Sequence, residues 1–236
     1  MNERLKYRSL LPVYTALLAG VFLIAMAGSR AVTVMTVNAP IENRKTVIID
    51  AGHGGVDGGA VSCTGVYESK LNLDIALKLN DLMHLLGIHT VMIRDTDRSV
   101  YTRGETIAQK KISDLKERVR IVNSTPNAVL ISIHQNHFTD DRYSGAQVFY
   151  AQTDGSQELA ESLQSAFVQT VNPTSNRRIK KSDGVYLMQH VACPAALIEC
   201  GFLSNTNEEY KLRTKVYQQQ ISIVIACTVS NNLFAT

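Results

Sequence analysis

The feature that most constrains this chain is a repeated hand-over from short β-branched runs to longer helical stretches. Residues 46–50 (TVIID) form a β-branched run that stops at a glycine-rich turn. Residues 67–86 then follow a helical period: Leu71, Ile75, Leu79, Leu82 and Leu86 step by 4, 4, 3 and 4 and make one apolar stripe. Gly87 stops that helix from the C-cap side. Further along, the pattern predicts strands at 90–93, 128–133 (AVLISI), 146–150, 185–188 and 195–198. Helices are predicted at 115–123, 157–171 and 217–233. Neighbouring strands that point the same way need a crossover, and a helix is the usual one. The expectation is an α/β fold: a single domain, residues 45–236, on a mostly parallel, helix-covered sheet.

Composition narrows the class. Of 236 residues, 45% are apolar and 19% charged, which excludes a disordered or collagen-like chain. The formal net charge is +3, and Arg4, Lys6, Arg8 and Arg30 against Glu3 account for all of it. The body is therefore neutral, without the cationic footprint of a nucleic-acid binder. Lys6 and Arg8 precede an uncharged run over 9–29, and Ala25-Met26-Ala27 supplies an A-x-A cleavage site. Residues 1–29 read as a signal peptide or a membrane anchor, since a run of about 20 apolar residues can span a bilayer. Residues 30–44 read as a linker. Both readings of the N-terminus place the rest of the chain outside the cytoplasm. Cys63, Cys193, Cys200 and Cys227 contain no C-x-x-C and are expected as buried free thiols.

Four chemistry-bearing residues fall where strands end. His53 lies three residues past TVIID, within Gly52-His53-Gly54-Gly55. His134 follows AVLISI and Glu199 follows AALI. In open α/β sheets ligands bind at the carboxyl ends of strands. Glu68 extends the apolar stripe of the first helix back towards its N-terminus and the loop that carries His53. A buried carboxylate there needs a partner. Two imidazoles and two carboxylates thus meet at one edge. Two His and one Glu around an open water position are a ligand set of catalytic zinc, and a second carboxylate can then serve as acid/base. Position alone leaves open which glutamate does which. His84, His89, His137 and His190 are assigned to the surface or to supporting roles. Other site types fail on spacing: there is no P-loop, no G-x-G-x-x-G, no H-E-x-x-H and no G-x-S-x-G.

In order, the chain carries IIDAGHGGVDGGA, YESKLNLDIALKL, IRDTDR, ISIHQNHF and PAALIECGFLSN. Together these resemble the zinc-dependent N-acetylmuramoyl-L-alanine amidases of bacterial cell walls, over about residues 45–232. Ala51 stands where many members carry Pro. The resemblance implies Zn2+ on His53, Glu68 and His134, and Glu199 as the catalytic glutamate. The family's asparagine two residues after the second histidine is matched by Asn136, a substrate-contact candidate. The implied reaction is hydrolysis of the amide between N-acetylmuramic acid and L-alanine of the peptidoglycan stem peptide. A bare catalytic domain behind one hydrophobic segment is most similar to the germination-specific spore-cortex members. Those act towards muramic-δ-lactam and would place the chain in the spore intermembrane space. The neutral body lacks a wall-binding module, so a membrane- or wall-located accessory protein is an expected partner. Two other readings share these residues: another zinc amide hydrolase of the wall (a peptidase or deacetylase), and a wall-binding protein with a structural metal.

Overall fold

The computed structural model describes residues 44–234. The signal or anchor expected at 1–29 and the linker at 30–44 fall outside the described residues, Arg44 excepted. Among the described residues no helix is long and apolar enough to cross a membrane.

The chain runs β1 (Thr46–Ala51), α1 (Glu68–Leu85), β2 (Thr90–Met92), α2 (Ile107–Asn123), β3 (Ala128–Asn136), β4 (Gln147–Tyr150), α3 (Ser156–Thr170), β5 (Lys180–Lys181), α4 (Tyr186–His190), β6 (Ala195–Phe202), α5 (Thr206–Leu212) and α6 (Lys215–Phe234). These strands form one six-stranded sheet in the order β2-β1-β3-β6-β4-β5. β2, β1, β3 and β6 are parallel to one another. β4 runs antiparallel to β6, and the two-residue β5 pairs parallel with β4 at the edge. The expected mostly parallel α/β domain is therefore observed.

Alternation along each strand divides the core in two. Val47, Ile49, Ile131, Ile133 and Ile198 face one layer, where they pack with Leu71, Ile75 and Leu79 of α1, Leu163 and Phe167 of α3, and Ile225 of α6. Ile48, Leu130 and Leu197 face the other, against Val122 of α2 and Leu187 and Met188 of α4. Helices on both faces explain why the central strands are continuous apolar runs. From β1 the chain crosses through α1 to β2 on one side. From β2 it crosses through α2 to β3 on the other side of β1. That reversal opens a crevice at the carboxyl ends of β1 and β3.

Several boundaries differ from expectation. Residues 185–188 form no strand: Val185 is the extended N-cap of the short helix α4. Leu187 and Met188 are its buried residues, and so short an apolar run fits one helical turn as well as it fits a strand. α2 starts at Ile107, two turns before residue 115, because its exposed first turns carry no apolar stripe. A capping box between Thr106 and Gln109 marks the true start. β5 and α5 had no counterpart among the expected elements. The four cysteines are free as expected, but Cys63 and Cys227 are exposed.

Ile131 is fully buried at the centre of β3, where it pairs in register with Ile49 of β1 and Ala196 of β6. Ile131→Ala is expected to cost about 2–5 kcal/mol through lost transfer energy and a residual cavity. The shift in urea midpoint at unchanged m-value measures it.

Candidate metal centre

The site starts from a turn that most side chains disfavour. β1 ends at Ala51, and the chain leaves the sheet through Gly52 into His53, which sits at φ 61°. Only a minority of non-glycine residues adopt this left-handed region. Two glycines make room for the imidazoles. A Cβ on Gly52 would lie 2.2 Å from His134 Cε1, and one on Gly59 (φ 70°) would lie 2.6 Å from Glu68 Oε2 and 2.8 Å from His53 Cδ2. The glycine-rich segment is thus a cradle shaped by these three side chains.

Glu68 is the first residue of α1 and is 4% exposed. Tyr67 provides no side-chain cap. Instead the Glu68 and Ser69 amides donate to the carbonyls of Ala60 and Gly58, at 2.9 and 3.1 Å. The turn that carries His53 therefore caps the helix that carries Glu68. Glu68 Oε1 lies 2.9 Å from His134 Nδ1 and accepts from the Gln135 amide at 3.2 Å and from Asn72 Nδ2 at 3.2 Å. Its Oε2 lies 3.2 Å from His53 Nε2 and accepts from the Ala60 amide at 3.0 Å. Burial pushes this carboxyl up, but the bonds and charges of His134 and His53 outweigh it and hold the group well below the usual carboxylate range.

His53 carries carboxylates on both ring nitrogens, because its Nδ1 lies 2.9 Å from Asp57 Oδ2. Burial alone would lower its pKa. Asp57 and then Glu68 reverse that and push it up to about 9. Asp57 is itself held far below the usual range, first by its bond to His53, and Lys111 Nζ stands 3.2 Å away. The two imidazoles meet edge to face, with centroids 5.1 Å apart.

One ligand atom each from His53, Glu68 and His134 lies within 4.8 Å of the others, a set that can hold a metal ion. Glu199 stands outside this group. It pairs in register with His134 across β3 and β6, just before the pairing slips between His134 and Asn136. Its Oε2 is buried without a hydrogen-bond partner among the described residues. Burial raises this carboxyl to about 7; the His134 charge opposes the rise and the Glu68 charge adds to it. The structure therefore brings all four expected residues to one edge, with Glu68 and not Glu199 between the imidazoles. Asn136, the last residue of β3, shares the strand face of His134 two residues on, and its carbonyl accepts from the Leu203 amide. His84, His89, His137 and His190 are all exposed. Asp57, Asn72 and Gln135 lie within the segments that carry the resemblance, but the sequence assigns them no role. The one available signal for Asn72 was its place four residues after Glu68 on the same helix face.

Comparison with known proteins identifies the family. The sequence profile of the family described as N-acetylmuramoyl-L-alanine amidase matches residues 47–231. The germination-specific N-acetylmuramoyl-L-alanine amidase of Bacillus subtilis is 34% identical over 180 residues, 75% of this chain and 75% of that protein. Among solved structures, the CwlD amidase of Clostridioides difficile, determined in complex with the GerS lipoprotein, is 37% identical. It superposes with a TM-score of 0.78 over 82% of this chain and 100% of its own. The catalytic domain of the CwlV amidase from Bacillus (Paenibacillus) polymyxa is 28% identical, with a TM-score of 0.66 over 81% of this chain and 99% of its own. With this cradle, and a family match spanning nearly all of the described residues, the chain belongs to the N-acetylmuramoyl-L-alanine amidase family and is a cell-wall amidase.

Proposed function

We propose that this amidase is zinc-dependent, with His53, Glu68 and His134 holding the ion and Glu199 moving the proton. The observation that carries the reading is the meeting of two imidazoles and one carboxylate within 4.8 Å, beside a buried carboxylate oxygen with no partner. Two nitrogens and one oxygen suit zinc, and three protein ligands leave a position open, whereas structural zinc is usually closed by four. When bound, zinc supplies Lewis acidity: it polarises a carbonyl oxygen and makes water more acidic.

The chain's own residues do the rest. Asp57 accepts a hydrogen bond from His53 Nδ1–H and so leaves Nε2 unprotonated on the Glu68 side. Asn72 and the Gln135 amide hold Glu68 Oε1. Glu199 takes a proton from the water that attacks the lactyl carbonyl and delivers it to the L-alanine nitrogen as the C–N bond breaks. The products are the lactyl carboxylate and the free stem peptide. A carboxyl raised to about 7 by burial can exchange a proton near neutral pH, although a bound cation draws it down. Asn136, on the same strand face as His134, is placed to meet the substrate.

The wider setting is also proposed. Likeness to the germination-specific Bacillus subtilis enzyme supports a role in spore-cortex peptidoglycan, towards muramic-δ-lactam. The N-terminal basic and apolar segment supports export with either anchoring or cleavage, and so action in the spore intermembrane space. The Clostridioides difficile relative, solved with a lipoprotein, supports an accessory partner at the membrane or wall.

Three outcomes are expected. His53→Ala, Glu68→Ala and His134→Ala each lose zinc and activity together, whereas Glu199→Gln keeps zinc and loses roughly 10²–10⁴-fold in turnover. Metal content and turnover on purified peptidoglycan, with and without chelator, check this, and full zinc in His53→Ala would sink the ligand set. The second outcome concerns pH. In chelated protein the folded pKa of His53, about 9, lies above its ordinary 6.5. The stability from that imidazolium is thus complete below about 6.5 and lost as pH rises through about 9. Zinc-loaded protein lacks this decline, because a ligating imidazole is already neutral. Melting temperatures of chelated wild type and His53→Gln across this window measure the difference, and parallel profiles contradict it. Third, a chain starting at Asn43 should digest intact sacculi slowly and gain rate with native envelope extract; full speed alone would mean that neither anchor nor partner is needed.

A further inference from the structure

We propose that Arg94 is a positioning residue for the metal centre: its buried guanidinium fixes the spacing between the His53 turn and the first turn of α1. The proposal rests on the zinc reading above. Arg94 is fully buried. A single nitrogen, Nη2, donates to the carbonyl of Gly52 at 3.0 Å and to that of Ser69 at 2.8 Å. Gly52 adjoins His53 and Ser69 adjoins Glu68, so one planar group spans the two elements that carry these ligands. Its Nε donates to the Ala51 carbonyl at 2.8 Å and its Nη1 to Thr96 at 3.1 Å. Among the described residues no carboxylate is hydrogen-bonded to it, and four carbonyls take its donors.

Neighbouring side chains complete the clamp. Asn72 Nδ2 donates both to the Gly52 carbonyl, at 3.1 Å, and to Glu68 Oε1, which ties the same two elements a second time. Arg118, 2% exposed and paired with Asp50 and Asp114, donates to the carbonyls of Ala51 and His53 at 3.1 and 2.7 Å. Ser99 Oγ donates to the Gly54 carbonyl at 2.7 Å. Every carbonyl from Ala51 to Gly54 thus accepts a side-chain hydrogen bond. A peptide flip in this turn would leave a buried donor unmatched. That is what keeps His53 in a left-handed conformation that its side chain does not favour.

Arginine is required because the function is geometric. Lysine is a point charge on a flexible stem and cannot present a planar fork to several fixed acceptors. Arg94→Lys should therefore fold and bind zinc roughly 10–100-fold more weakly, the range typical of groups that orient metal ligands. Its kcat should fall more than its KM rises. Asn72→Ser should shift zinc affinity in the same direction, and Val229→Ala, a core change in α6, should lower stability and leave zinc affinity alone. The experiment is chelator-competition titration of zinc into each metal-free protein, with circular dichroism and melting temperature recorded before zinc is added. Wild-type affinity in folded Arg94→Lys overturns the proposal while leaving the zinc reading intact. If Arg94→Lys does not fold, Asn72→Ser decides by the same readout. A wild-type protein that takes up no zinc overturns both.

Discussion

Glu68 is the interaction on which the rest of the site depends. A carboxylate at 4% exposure is costly unless its charge is met, and here each oxygen faces an imidazole nitrogen and accepts from backbone amides. Meeting that need draws three separate parts of the chain together: the turn after β1, the N-terminus of α1 and the end of β3. The same convergence produces a set of donors that a metal can occupy. The carboxylate that would be a liability in an ordinary core is thus the reason the centre exists. It also explains the glycines, since two of the positions around it have no room for a Cβ.

The sheet decides where this happens. β1 lies between β2 and β3, with crossovers on opposite faces, which parts the connections at the carboxyl ends of β1 and β3. Below that edge the strands are apolar on both sides and need no further partners. At the edge the pattern changes within one or two residues, from Ile133 to His134 and from Ile198 to Glu199. The ladder then slips between His134 and Asn136, which turns the strand end away from regular pairing. Strands that continue three or four residues past their last aliphatic thus place reactive side chains on rigid backbone, where a catalytic geometry is easier to keep than on a loop.

This arrangement explains which parts were legible in the sequence. His134 and Glu199 could be placed because each directly follows a predicted strand, His53 because it lies three residues past one, and Glu68 because it continues a helical stripe. Which glutamate faces the imidazoles was not legible from position; the resemblance to the amidases assigned it, and the observed grouping agrees. Asp57, Asn72, Gln135 and Arg94 were invisible, because their roles depend on which atoms face each other after folding. Asp57 is four residues from His53 in a turn without periodicity, and Arg94 reads as an ordinary charged residue at a strand end. The strand expected at 185–188 failed for a related reason: four apolar-rich residues fit one turn of helix as well as a strand, and only the tertiary setting decides.

Two carboxylates of one residue type end in opposite states through their surroundings alone. Glu68 is buried, yet it is surrounded by donors that hold its carboxyl well below the usual carboxylate range. Glu199 is half-buried with its Oε2 shielded from solvent and unpartnered among the described residues, and burial raises its carboxyl to about 7. The difference comes from what faces each carboxyl, which on Glu68 is two imidazoles, two backbone amides and the Asn72 side chain. Environments that push two acids apart in this way are how one site obtains both a permanent anion and a proton carrier. An unpartnered buried oxygen is poor design for stability, and an apolar side chain of similar volume would remove it. Its presence next to a fully satisfied carboxylate is what the proton-transfer role proposed for Glu199 calls for.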